Sequence, residues 1–139
     1  MEDWKEPLLN AARDQRNFSY VPYSHFRVGA ALLAKSGVIY RGSNVENASF
    51  GATNCAERSA FFAAVSAGER AFTAIAIAGD TKEFLPPCGI CRQVMLEFCD
   101  PDTFLVLLTN QSGEVRTLTL AELLPYSFGK GDLTCASAT

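Results

Sequence analysis

The sequence predicts an α/β protein, a three-layer α/β/α sandwich around a mixed five-stranded sheet. Three observations predict it. Helical and strand-like patterns follow one another in the order αββαβαββα, which is neither all helix nor all strand. Two of the helical runs connect strands in the middle of the chain, as crossovers that favour parallel pairing. Glycine-containing turns join the remaining strands as hairpins, so both pairing senses are expected in one sheet. At 139 residues the chain has the length of one domain with a full core, and no repeat or low-complexity linker divides it, so residues 1–139 read as a single domain.

Asp3 can cap a first helix in which Trp4, Leu8 and Ala11 or Ala12 recur at helical spacing, ending near Asn17. Residues 18–26 are aromatic and contain Pro22, which reads as an ordered loop. A continuous apolar run at 28–34 and a strand-like run at 38–43 flank Ser36-Gly37, a hairpin turn. Thr53 or Asn54 can cap an alanine-rich helix from Cys55 to about Ala67, closed by Gly68. The short run at 73–78, rich in Ile and Ala and bounded by Gly79-Asp80, reads as a buried strand. After Pro86-Pro87 a helix runs from about Gly89 to Phe98. Strands at 104–108 and 115–120 surround the turn Asn110-Gln111-Ser112-Gly113, and residues 121–124 begin a last short helix.

Hydrophobic residues at 48% and charged residues at 19% place the chain among soluble globular proteins. A net charge of -3 and a pI near 5.1 argue against a grip on nucleic-acid phosphates, which needs clustered Lys and Arg; a small, little-charged substrate fits better. No apolar run approaches membrane-spanning length and no signal-peptide core is present, so a cytoplasmic protein with no membrane partner is expected. Of the five cysteines, Cys99 reads as a small core residue and Cys135 lies in a polar tail at 134–139 whose composition predicts disorder. In a reducing cytosol both are expected to be free thiols.

The other three cysteines carry the chemistry. Cys55-Ala56-Glu57 and Pro87-Cys88-Gly89-Ile90-Cys91 together offer three thiolates, which can hold Zn²⁺ while leaving its fourth position open, and a carboxylate close enough to move protons there. The same pattern resembles the signature of the zinc nucleobase deaminases, with Cys55 where a histidine is common. A C-x-x-C pair also marks redox dithiols and halves of structural zinc knuckles. Those readings leave Cys55, Glu57 and Arg58 unexplained, and a closed structural site would need Cys99, Cys135 or His25 as a fourth ligand. Residues two apart on a helix point to roughly opposite sides, so Cys55 and Glu57 can serve one metal only if Cys55 stands at the very start of its helix. Three thiolates leave a zinc site with net negative charge, which the positive ends of two helices oppose, and Arg58 can donate a hydrogen bond to a ligand sulfur. Glu57 would be the general acid/base.

Beyond the metal motif, Phe26-Arg27-Val28-Gly29-Ala30-Ala31-Leu32, Asn44-Val45-Glu46-Asn47-Ala48, Cys55-Ala56-Glu57-Arg58, Pro87-Cys88-Gly89-Ile90-Cys91-Arg92-Gln93, and Leu123-Leu124-Pro125 with Phe128-Gly129 stand in one order along most of the chain. Together they resemble the small cytidine deaminases of the short, three-cysteine type. The resemblance implies a cytidine deaminase-like fold, one zinc per subunit, and hydrolysis of cytidine and 2'-deoxycytidine to uridine and 2'-deoxyuridine plus ammonia in pyrimidine salvage. It implies that Phe26 packs on the pyrimidine, that Asn44 and Glu46 hydrogen-bond the ribose 3'-hydroxyl, and that the Ala56 backbone contacts the base. It further implies a homotetramer in which Phe128 enters a neighbouring subunit's site. Phe50 departs from the family, many members of which carry tyrosine there. A blasticidin-type aminonucleoside deaminase, a nucleic-acid-editing deaminase and a non-catalytic zinc-stabilised binding module are the rival readings.

Overall fold

The computed structural model describes residues 3–133. Its elements are α1 (Lys5–Gln15), β1 (Val28–Ala34), β2 (Ile39–Ser43), α2 (Ala56–Ser66), β3 (Phe72–Gly79), α3 (Gly89–Phe98), β4 (Leu105–Thr109), β5 (Val115–Thr119) and α4 (Leu120–Leu123), in the predicted order. Cys135 and the tail at 134–139 lie outside the described residues.

All seven residues of β1 are buried, which requires a cover on each face of the sheet. Alternate side chains point to opposite faces. Ala30 and Leu32 of β1, Ile75 and Ile77 of β3, and Val106 and Leu108 of β4 join the core under α2 and α3. Ala31 and Leu33, with Ala74, Ala76 and Ala78, face α1. The alanine face lets α1 lie close: a Cβ on Gly29 would come within 2.1 Å of the Ala12 carbonyl oxygen. The larger side chains fill the other layer, where Phe61 contacts Phe72, Phe98 and Phe104 with ring centroids 5.2, 6.2 and 6.1 Å away.

The sheet order is β2-β1-β3-β4-β5. β1 is antiparallel to both β2 and β3, β3 and β4 are parallel, and β4 and β5 are antiparallel. The sheet is therefore mixed, as expected. Only α3 is a crossover between paired parallel strands. α2 carries the chain over β1, linking β2 and β3, which run in the same direction without pairing. Because β2 and β3 run the same way, both helices start at the same edge of the sheet, beyond the carboxyl ends of those strands. That edge is where open α/β sheets place their sites.

The turns behave as predicted: Gly37 and Gly113 take positive φ in the two hairpins. Gly68, at φ 99, closes α2 with its N–H on the Val65 carbonyl and that of Glu69 on Ala64, a Schellman ending. The expected N-caps differ. Trp4, not Asp3, precedes α1, and it makes no side-chain capping bond. Cys55, not Thr53 or Asn54, is the N-cap of α2; the Asn54 amide instead donates to the Ser59 hydroxyl at 3.1 Å. Among the described residues no helix is long and apolar enough to cross a membrane.

Candidate active site

Two helix starts bring the cysteines together. Cys55 and Cys88 are the N-caps of α2 and α3, both in extended backbone, so their side chains leave the helix ends rather than its sides. This is the placement required for Cys55 and Glu57 to share a metal. Cys91 occupies the third helical position of α3, the one that faces an N-cap side chain. The Cys88 and Cys91 sulfurs lie 3.5 Å apart, those of Cys55 and Cys88 3.8 Å, and all three lie within 4.8 Å of one another. Sulfurs bound at ~2.3 Å to a tetrahedral zinc would stand about 3.8 Å apart, so the residues fit the ion. Among the described residues no fourth protein ligand joins them. Cys99 closes α3 at the end opposite Cys88, and His25 sits in an exposed loop. Cys99 is a partly buried free thiol packed against the core, as read, and burial pushes it up to about 12.

Arg58 donates from Nη2 to the Cys55 sulfur at 3.2 Å. The hydrogen bond from Cys91 and, against the cost of burial, that from Arg58 bring the Cys55 thiol down to about 5. Cys91, the donor of that pair, is pushed up. Against its own burial, Arg58 is raised by the Cys55 and Cys91 sulfurs, and its Nε is buried without a partner. The guanidinium is thus directed at the cysteine sulfurs.

Glu57 is 6% exposed at the second position of α2, and burial, reinforced by the Cys55 charge, pushes its carboxyl up to about 7. It opens on a cleft of about 230 Å³ that it lines with Cys55, Cys88, Ala56, Phe26 and Asn44. Val28, Leu85 and Pro86 complete the wall and were not predicted. Val28 read as a strand residue within the Phe26–Leu32 segment and Pro86 as one of the residue pair before a helix, neither as part of a cleft; an apolar wall has no motif of its own. Asn44 braces that wall, its Nδ2 donating to the Phe26 carbonyl at 2.8 Å and its Oδ1 accepting from the Val28 N–H at 3.0 Å.

Two predicted substrate residues stand apart from the cleft lining. Glu46 is engaged by the 20–26 loop, accepting the N–H groups of Tyr23 and Ser24, each at 3.1 Å, and the Ser24 hydroxyl. Phe128 lies in a second depression with Tyr126, Ser127 and Asp132, and Gln93 donates to its carbonyl at 2.7 Å. Phe50 is 86% exposed. The loop before Phe26 is tied down by Arg27, whose guanidinium meets Asp80 at 2.8 Å while Arg16 meets it at 3.1 Å. Arg92 holds the start of α3, donating to the Pro87 carbonyl at 2.7 Å and to the Leu123 carbonyl.

A metal with an open position, facing a buried carboxylate that can carry a proton, activates water; fold and site define a zinc-dependent hydrolase. Residues 2–107 match the family described as the cytidine and deoxycytidylate deaminase zinc-binding region. The chain belongs to the cytidine and deoxycytidylate deaminase family. It is 52% identical over 129 residues to a cytidine deaminase of Halalkalibacterium halodurans, covering 93% of this chain and 97% of the relative. A crystal structure of cytidine deaminase from Burkholderia pseudomallei is 50% identical and superposes with a TM-score of 0.85, covering 88% of this chain and 98% of that one. The Mycobacterium tuberculosis cytidine deaminase structure is 39% identical with a TM-score of 0.78, covering 93% of this chain and 99% of that one.

Proposed function

We propose that the protein hydrolyses cytidine and 2'-deoxycytidine to uridine and 2'-deoxyuridine with release of ammonia, serving pyrimidine salvage in the cytoplasm. The observation that carries this reading is geometric: Glu57, a buried carboxyl, lines the cleft beside the three-cysteine cluster, where it can take and give a proton. Zinc held by Cys55, Cys88 and Cys91 supplies a Lewis acid that makes water acidic at that end of the cleft. Glu57 removes a proton from the attacking water and passes it to the pyrimidine ring nitrogen, then takes the remaining proton from the newly added hydroxyl and delivers it to the amine, which leaves as ammonia as the carbon–nitrogen bond breaks and the carbonyl forms. Water and nucleoside thus become ammonia and the keto product.

Phe26 packs against the base and the Ala56 backbone contacts its edge. Asn44 and Glu46 bind the ribose 3'-hydroxyl; after the bonds given above, the Asn44 amide keeps one N–H and the Glu46 carboxylate about one of its roughly four acceptor positions. Arg58 offsets the excess negative charge of three thiolates through its bond to Cys55. Four subunits assemble, and Phe128 of each enters a neighbour's cleft.

The test is the fall in ultraviolet absorbance when protein meets cytidine, with zinc content determined for each variant. Glu57→Gln keeps its zinc and loses roughly 10²–10⁴-fold in turnover, the size of a general acid/base contribution. Arg58→Gln keeps zinc and turns over more slowly. A folded, zinc-loaded parent that converts neither cytidine nor deoxycytidine overturns the substrate assignment and favours the antibiotic or nucleic-acid readings.

A further inference from the structure

Ser24 has no place in the chemistry above, yet it is the side chain that joins two of the groups assigned to the substrate. Its hydroxyl donates to one Glu46 carboxylate oxygen and accepts the Phe26 N–H at 3.0 Å. A serine hydroxyl can do both at once, because it carries one donor and two acceptor positions. The other Glu46 oxygen takes the backbone N–H groups of Tyr23 and Ser24.

Backbone pairing holds the two segments side by side: Glu46 N–H bonds the Tyr20 carbonyl at 2.9 Å and Tyr20 N–H the Asn44 carbonyl at 3.0 Å. That pairing stops at Tyr20. It sets neither the rotamer of Glu46 nor the path from Val21 to Phe26. His25, at φ 60, makes a left-handed turn just before Phe26, a conformation uncommon outside glycine that the loop must hold in place. The His25 N–H closes that turn on the Val21 carbonyl at 3.0 Å and Asn44 holds the Phe26 carbonyl at 2.8 Å, while the Ser24 hydroxyl is the side-chain group that bonds both Glu46 and the Phe26 N–H. Its bond to Glu46 is also the largest influence keeping that carboxyl below its ordinary range, so the carboxylate stays an acceptor.

We propose that Ser24 is a positioning residue for nucleoside binding, its hydroxyl setting the separation between the sugar-reading Glu46 and the base-packing Phe26. The inference rests on those two residues being the sugar and base contacts. It separates two consequences that a purely structural serine would not. Loss of the hydroxyl weakens binding while Glu57 and the cysteines, which it does not touch, keep the chemical step. It also loosens recognition of the 3'-hydroxyl in particular.

The experiment measures kcat and KM for the zinc-loaded parent, Ser24→Ala and Ser24→Thr on 2'-deoxycytidine and on 2',3'-dideoxycytidine, which lacks the 3'-hydroxyl. Ser24→Ala raises KM for deoxycytidine by about tenfold, as one lost hydrogen bond to a charged group would, with kcat little changed. Its preference for deoxycytidine over the dideoxy analogue narrows, and Ser24→Thr, which keeps a hydroxyl, recovers both values. An alanine variant with the parent's KM and preference overturns the proposal. So does one whose KM rises equally for both nucleosides, since the hydroxyl would then act on the loop alone. A parent that converts neither nucleoside removes the nucleoside reading and this inference with it; a parent that converts both equally well removes Glu46 as the sugar contact.

Discussion

Asp80, at the end of β3, receives hydrogen bonds from Arg27 Nε and Nη2 and from Arg16 Nη1, at 2.8, 3.3 and 3.1 Å. One carboxylate thus ties the residue after Phe26, the turn that follows α1, and the edge of the sheet that carries the site. Partial burial alone would raise its pKa, but Arg27 and then Arg16 outweigh that and hold it below the ordinary 3.8. The sign follows by linkage. A carboxyl whose folded-state pKa is depressed adds stability that is fully present above the unfolded pKa and is lost as pH falls through the folded one. Asp80→Asn should therefore cost on the order of 1 kcal/mol near neutrality, the upper range for a pair with partial solvent access. The melting-temperature gap between parent and variant, measured by circular dichroism, should be constant at neutral pH and shrink below about pH 4. A gap that persists undiminished in acid would mean that the arginines do not act on Asp80 as a charge. At this scale the ligands and Glu57 were legible because their spacing is dictated by chemistry. Val28, Leu85 and Pro86 were not, since any apolar residue can form a wall and only the folded loops decide which ones do.

At the scale of elements, the site depends on how closely α2 lies against β2. A Cβ on Gly42 would meet the Ala56 carbonyl oxygen at 2.3 Å and the Ala60 nitrogen at 2.5 Å, both backbone atoms that cannot rotate aside. Gly42→Ala must therefore push α2 outward, and Cys55 and Glu57 move with it. The expected outcome is a loss of about 1–3 kcal/mol from overpacking, together with weaker zinc retention when the protein is dialysed against a chelator. Unchanged stability and zinc content would show that the helix has slack the geometry denies. The strands were legible from sequence because β1, β3 and β4 are covered on both faces and read as unbroken apolar runs. Helix starts were less so. Cys55 took the N-cap expected of Thr53 or Asn54, since that position aims its sulfur off the helix end toward Cys88. The passage of α2 over β1 is likewise invisible to local pattern, because a crossover helix looks the same whether it joins neighbouring strands or skips one.

At the scale of the whole molecule, the subunit leaves aromatic surface uncovered. Phe50 is 86% and Phe128 61% exposed, and Tyr126 is fully exposed beside Phe128. Scattered apolar residues need no explanation, but large aromatic rings held outward do. The Gln93 amide fixes the Phe128 backbone through its carbonyl, and the residue lines a depression separate from the cleft. The homotetramer proposed above, in which each cleft is completed by a neighbour's Phe128, would cover such a ring. In such an assembly mass action would couple activity to association: a cleft without its neighbour's ring would bind substrate less well, so activity per chain should fall as the protein is diluted through the range where the assembly dissociates. Phe128→Ala should lower activity at every concentration while retaining zinc, because the ring lies outside the three-cysteine cluster. Sedimentation velocity alongside a dilution series of cytidine turnover would read both quantities. Parallel loss of assembly and activity in the parent is the expected result, and a dilute monomer with undiminished turnover would show that each cleft is complete by itself and that the exposed ring serves some other contact.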